Sequence, residues 1–185
     1  MPLRITIYSP DRGVRYDGRT RHAVGVGGGI TARLALAEAF AHLGHDVQAV
    51  VHCHAPVDCD GVRYVPLDRC QRLDADLLIG ISTGGALSFA PLAQVDVRAT
   101  VRALWVQGVP QPTHLDLLAP DAVVCASNFL RDVVVQRWGI PAAQTCVIYN
   151  GLDQERFEAV AARPPQRDPF AVCYIGPPEK GLDAA

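Results

Sequence analysis

Seven short apolar runs recur along the chain and restrict its fold more than any other feature. They are RITIYS (4–9), VQAVV (47–51), GVRYVPL (around 62–65), LLIG (77–80), RALWVQ (102–107), AVVCAS (122–127) and TCVIYN (145–150). Most are continuously apolar rather than alternating. A strand of that kind has both faces buried, as in a parallel sheet covered by helices. Between the first two runs, Leu36, Phe40 and Leu43 recur at helical spacing, with Leu34, Ala37 and Ala41 on the same side. They predict a helix from about Thr31 to Leu43 that Gly44 stops. Ser127 predicts the N-cap of a second helix that runs to about Trp138 and ends before Gly139 and Pro141. Asp74-Ala75-Asp76 is read as the turn into LLIG. The expected class is α/β, a parallel sheet with helices on both faces.

Composition narrows the function classes. Of 185 residues, 49% are hydrophobic and 19% charged, so a large core is expected and disorder is not. A formal charge of -2, with 17 scattered Lys and Arg, is a poor match to a nucleic-acid grip but is compatible with a small nucleotide or a sugar. No transmembrane run is present, and MPLRITIYSP passes directly into a strand rather than a signal peptide. A cytoplasmic location, or one peripheral to the membrane, is the expectation. The six cysteines form no C-x-x-C, and those within apolar runs serve as small hydrophobes.

The residues with chemistry in them cluster after the strand-like runs. Gly25-Val26-Gly27-Gly28-Gly29 stands immediately before the first helix. Glycines let a backbone approach an anion closely, and a helix N-terminus supplies free N–H groups, so Gly27, Gly28 and Gly29 are candidates for a phosphate or sugar contact. A dinucleotide fingerprint is disfavoured. Its glycines should follow the first strand directly, and the second strand should end in an acid, whereas here it ends in Val51-His52-Cys53-His54. Zinc is disfavoured by spacing, and no metal is expected. Strand alternation would place His52 and His54 on one side as ligand contacts. Ser82 and Thr83, at the end of the fourth run, and Gln107, at the end of the fifth, offer hydroxyls and an amide to a ligand. Trp105 suits a sugar face or the core, and His114 is the histidine placed for acid–base work nearby.

From Asn150 the texture changes. Asn150-Gly151 reads as a turn, Phe157 as the anchor of a short helical piece, and ARPPQRDP (162–169) as a linker. FAVCYIG (170–176) reads as a fresh buried strand. The expected organisation is residues 1–161 as one domain, 162–169 as linker, and 170–185 as the first strand and loop of a second domain that the 185 residues do not complete.

Four segments in order then resemble a known family. GVGGGITARLALAEAFAHLGHDVQAVV (25–51), DAVVCASNFLRDVVVQRWGIP (121–141), VIYNGLDQERF (147–157) and YIGPPEKGLDAA (174–185) are similar to passages of the retaining glycosyltransferases with two Rossmann-like domains, the GT-B fold of the family 4, group 1 type. The resemblance implies an N-terminal, acceptor-side Rossmann-like domain. It implies transfer of a sugar from a nucleotide diphosphate donor to a sugar, lipid or small-molecule acceptor, with retained configuration and no required cofactor. Gly27, Gly28, Gly29 and Lys180 would lie near the donor diphosphate or sugar. His52, His54, Ser82, Thr83, Gln107 and His114 would shape the cleft, and Asn150 and Gly151 the hinge. Gln107 stands where many members carry histidine, and Pro177 where arginine is common, so the catalytic residues stay unassigned. The resemblance further implies a chain that folds but, lacking its donor half, transfers no sugar. A sugar-nucleotide epimerase of the same architecture and a non-catalytic sugar- or nucleotide-binding domain are the alternative functions.

Overall fold

A computed structural model describes residues 1–20, 26–152, 154–162 and 168–171. Two compact units emerge, Met1–Asn150 and Gly151–Ala185. The first contains β1 (Arg4–Tyr8), α1 (Gly28–His42), β2 (Asp46–Val51), β3 (Val57–Cys59), β4 (Val62–Pro66), β5 (Arg72–Ser82), β6 (Asp96–Val106), α2 (Leu115–Leu118), β7 (Ala122–Cys125), α3 (Asn128–Arg137) and β8 (Thr145–Val147). In the second, α4 spans Gln154–Ala162. The proposed strand at 170–176 and Lys180 lie outside the described residues, apart from Phe170 and Ala171.

The eight strands form one sheet in the order β3-β4-β2-β1-β5-β6-β7-β8, parallel except for β3. With that edge strand set aside, the chain builds outward from β1 to β4 in one direction, then returns to the other side of β1 and builds from β5 to β8. This is the Rossmann arrangement, and the order reverses between β1 and β5. Ile5 and Ile7 bury on one face with Leu34 and Ala37 of α1, while Tyr8, Leu78 and Leu104 bury on the other with Leu118 of α2 and Leu130 and Val134 of α3. Helices therefore cover both faces, as the continuous apolar runs require.

Several boundaries differ from the sequence expectation. Helix α1 starts three residues early, so Gly28 and Gly29 are its first turn and Gly27, at φ 80°, is its N-cap. Its buried stripe is Ile30, Arg33, Leu34, Ala37 and Glu38, not the side carrying Leu43, which is 73% exposed. Two polar residues therefore lie in the buried stripe, which hides it from a purely apolar periodicity. Asp74-Ala75-Asp76 is not a turn. Arg4 donates to both carboxylates, at 2.6 Å to Asp74 and 2.8 Å to Asp76, and that pairing lets β5 run straight through them. The runs ending at Ser127 and Asn150 stop as strands at Cys125 and Val147. The N-cap at Ser127 is as expected, its hydroxyl accepting from the Leu130 N–H at 3.2 Å. Strand β3 was not anticipated. Its signal is Asp60-Gly61, whose φ values of 50° and 76° make the tight hairpin turn into β4.

Candidate functional site

Three adjacent strands, β1, β5 and β6, end at one level beside the point where strand order reverses. Ser9 follows β1, Ser82 closes β5, and Gln107 follows β6 with its N–H donating to the Ser82 carbonyl at 2.8 Å. In open parallel sheets, ligands occupy the crevice outside the strand ends at such a reversal.

Helix α1 delivers Arg33 to this level. Although only 4% exposed, Arg33 is well partnered: its Nη1 donates to Ser9 Oγ at 2.7 Å and to the Tyr16 hydroxyl at 3.1 Å. Its Nε donates to the Gly29 carbonyl at 2.9 Å, and Nη2 lies 3.5 Å from Asp11. The guanidinium thus ties β1, the first turn of α1 and the loop 10–20 together. That loop is packed down over the strand ends: the Tyr16 N–H donates to the His52 carbonyl at 2.9 Å, and Gly18 fits where a Cβ would come within 2.9 Å of Cys59. Burial pushes the Tyr16 hydroxyl above its ordinary pKa, with Arg33 opposing it. Arg19 donates to the Asp17 carboxylate and holds it below the usual carboxylate range.

Glycine segments close in around Gln107. A Cβ on Gly29 would lie 3.7 Å from Gln107 Oε1, and one on Gly108 would collide with the Thr83–Gly84 backbone at 2.4 Å. The first turn of α1, the 83–84 segment and residues 107–108 are therefore neighbours. Within this cluster both amide atoms of Gln107 are buried without a hydrogen-bond partner among the described residues; Ser82 Oγ is also unpartnered, but the alternation of β5 turns it to the opposite face, on the side of Val106. Each such group costs about 1–3 kcal/mol of desolvation. The Gln107 amide is the point on the α1 face that the described residues leave unsatisfied.

The remaining candidates scatter. Strand β2 ends at Val51, where the Cys53 N–H turns back to the Val51 carbonyl at 2.9 Å, so the alternation expected to align His52 with His54 does not continue. His52 accepts from Arg15 Nε at 3.1 Å, whereas His54 is exposed. His114 caps α2 in the left-handed conformation, 3.1 Å from Ser88 and 3.2 Å from Thr113. Trp105 is core. Asn150 and Gly151 are exposed at the junction of the two units. Sequence reading missed Ser9, Tyr16 and Arg33; a charged residue one place before Leu34, inside the Ile30–Leu34–Ala37 stripe, was the available signal.

Among the described residues no three His, Cys, Asp or Glu side chains are grouped to hold a metal, and no helix is long and apolar enough to cross a membrane. The crevice offers hydroxyl, amide and backbone N–H groups, which recognise and orient a polar ligand. No curated protein and no solved structure matches the chain. Over residues 113–156, which take in α2, β7, α3, β8 and the start of α4, the chain matches the sequence model of Glycosyltransferase Family 4.

Proposed function

We propose that the chain is the acceptor-side domain of a retaining glycosyltransferase that moves a sugar from a nucleotide diphosphate donor to an acceptor. The observation that carries this reading is the Family 4 match, which falls on a sheet of Rossmann order. The crevice at the strand reversal supports it, because a sugar offers hydroxyls to the unpartnered Gln107 amide beside the first turn of α1.

In this reading the diphosphate approaches the first turn of α1. Gly27 caps that helix with no side-chain hydrogen bond and no acidic residue follows in the first turn, so its free N–H groups and positive dipole end face no carboxylate of their own turn. As the bond from sugar to diphosphate breaks, negative charge grows on the leaving oxygen, and preorganised N–H groups stabilise that charge more than the ground state. Gly28 and Gly29 keep the approach clear. Ser82, Thr83 and Gln107 hold the sugar and acceptor side, with His52, His54 and His114 as outlying contacts. Asn150 and Gly151 act as the hinge, and Lys180 contributes a cation on the donor side. No metal enters the scheme, and the enzyme works in the cytoplasm or at a membrane surface.

The test is product analysis of the polypeptide encoded by the whole reading frame, supplied with a panel of nucleotide sugars and acceptors. Release of the nucleoside diphosphate with a new glycoside of unchanged anomeric configuration is expected. Inverted product, or conversion of the donor to its epimer without transfer, overturns the reading.

A further inference from the structure

We propose that the first half of β6 is an interface between two copies of this chain. The copies pair antiparallel about a two-fold axis at Val97, so that Asp96 of each faces Arg98 of the other.

Strands β5 and β6 are the longest in the sheet, and their neighbours cover only part of them. β7 pairs with β6 from Ala103 to Val106. One residue earlier, the Arg102 N–H donates to the Asp121 carboxylate and the Arg102 carbonyl accepts from the Asp121 N–H, both at 2.8 Å. From Asp96 to Val101 no strand among the described residues lies along that outer side. An open edge is a template for another strand unless proline, a bulge, repelling charges or a covering segment blocks it. Asp96–Val101 holds neither proline nor glycine, and Val97, Thr100 and Val101 are β-branched residues that favour extended backbone.

Backbone and side chains agree on one register. The Asp96 N–H donates to the Gln71 carbonyl at 3.0 Å, on the β5 side. Alternation then turns the N–H and C=O of Val97 outward. A two-fold pair centred there lets each Val97 exchange both backbone hydrogen bonds with its copy and sets residue 96 directly opposite residue 98. Asp96 and Arg98 are both exposed and already attract each other at 3.3 Å within the strand. In the pair, each carboxylate also meets the other copy's guanidinium at a position without backbone hydrogen bonds, where opposed side chains lie closest. On the other face Val97 and Ala99 pack against the core yet stay half-buried, and the paired Val97 side chains cover each other. Moving the axis to Arg98 would oppose like charges. The charge order therefore selects both the register and the occupant, a strand of the same sequence running backwards, and the surface is self-complementary as a two-fold dimer requires.

Sedimentation equilibrium of the 185-residue chain and of its Asp96→Arg and Arg98→Asp variants tests the interface. The parent chain should show a concentration-dependent monomer–dimer equilibrium. Either reversal alone sets like charges opposite each other twice per dimer and should raise Kd about tenfold or more. An equimolar mixture of the two variants restores opposite charges between unlike chains, so mixed dimers should form. The reversed side chains are 50% and 64% exposed, and unchanged circular dichroism separates lost pairing from misfolding. A parent chain that stays monomeric to its solubility limit, a dimer indifferent to both reversals, or folded variants that remain monomeric when mixed would overturn the interface.

Discussion

Arg33 carries a permanent charge into a place that excludes water, and its partners explain why that is tolerated. Four groups meet it, and three of them, Ser9, Tyr16 and Asp11, come from the segment that follows β1. Removing the guanidinium would strand two buried hydroxyls and a half-buried carboxylate. We expect Arg33→Met to destabilise the domain by about 3 kcal/mol, as broken charge-assisted networks do. Arg33→Lys should recover only part of that, because one ammonium cannot span the fork of contacts. Urea unfolding of the three proteins measures it. A loss below about 1 kcal/mol for the methionine variant would mean that the loop 10–20 is held by other contacts. Arg33 was visible in the sequence as a charge within an apolar stripe, but its partners lie 17 and 24 positions away, and pairing at that range is set by the sheet.

Elements were more legible than residues. The continuous apolar runs located seven of the eight strands, and the Ser127 cap located α3, because each depends on short-range chemistry. What failed was chemistry supplied from a distance. The aspartates at 74 and 76 read as a turn until Arg4 of the neighbouring strand is placed beside them. The glycines before α1 read as loop, yet two of them are helical. Opposite effects of glycine replacement follow at two positions. Gly28→Ala should raise stability by about 0.5–1 kcal/mol, since the helix gains propensity and the Cβ meets no atom. Gly61→Ala should lower it by about 1–2 kcal/mol, because φ is 76° and the new Cβ would press within 3.1 Å of Ala41. Thermal and urea unfolding read both; a stability loss at Gly28 would mean that the first turn of α1 is packed more tightly than its geometry indicates.

At the scale of the whole molecule, the order of strands was the part the sequence left open. Runs can be counted along a chain, but the reversal between β1 and β5 emerges only when they pair, and that reversal brings Ser9, Ser82 and Gln107 to one edge. The same assembly fixes how the protein responds to pH. On the acid side, arginines hold Asp17, Asp68, Asp74 and Asp76 below their ordinary values, so their contribution is complete above about pH 4 and is lost as pH falls through the depressed folded values. Three of these carboxylates lie at the solvent-exposed surface, so salt should weaken their share, leaving Asp17 as the main acid-sensitive group.

The alkaline side has a different cause. Burial pushes the Tyr8 hydroxyl up to about 12 and raises Tyr16 and Tyr64 as well. The unfolded chain releases these protons near pH 10, before the folded protein does, so the folded state binds more protons across that interval and stability falls with rising pH. Burial raises the Cys53, Cys70 and Cys125 thiols too, so the thermal midpoint should be flat through neutrality, begin to fall from about pH 8.5 and fall more steeply from about pH 10. Tyrosinate absorbance from the buried tyrosines should rise only together with loss of circular dichroism. Tyr8→Phe keeps the ring packed on Phe89 and deletes one of the titrating hydroxyls, so its alkaline slope should be shallower than that of the parent protein. An unchanged slope would assign the alkaline loss to the other buried tyrosines and thiols, and full tyrosinate formation in a still-folded protein would refute tyrosine burial as its cause.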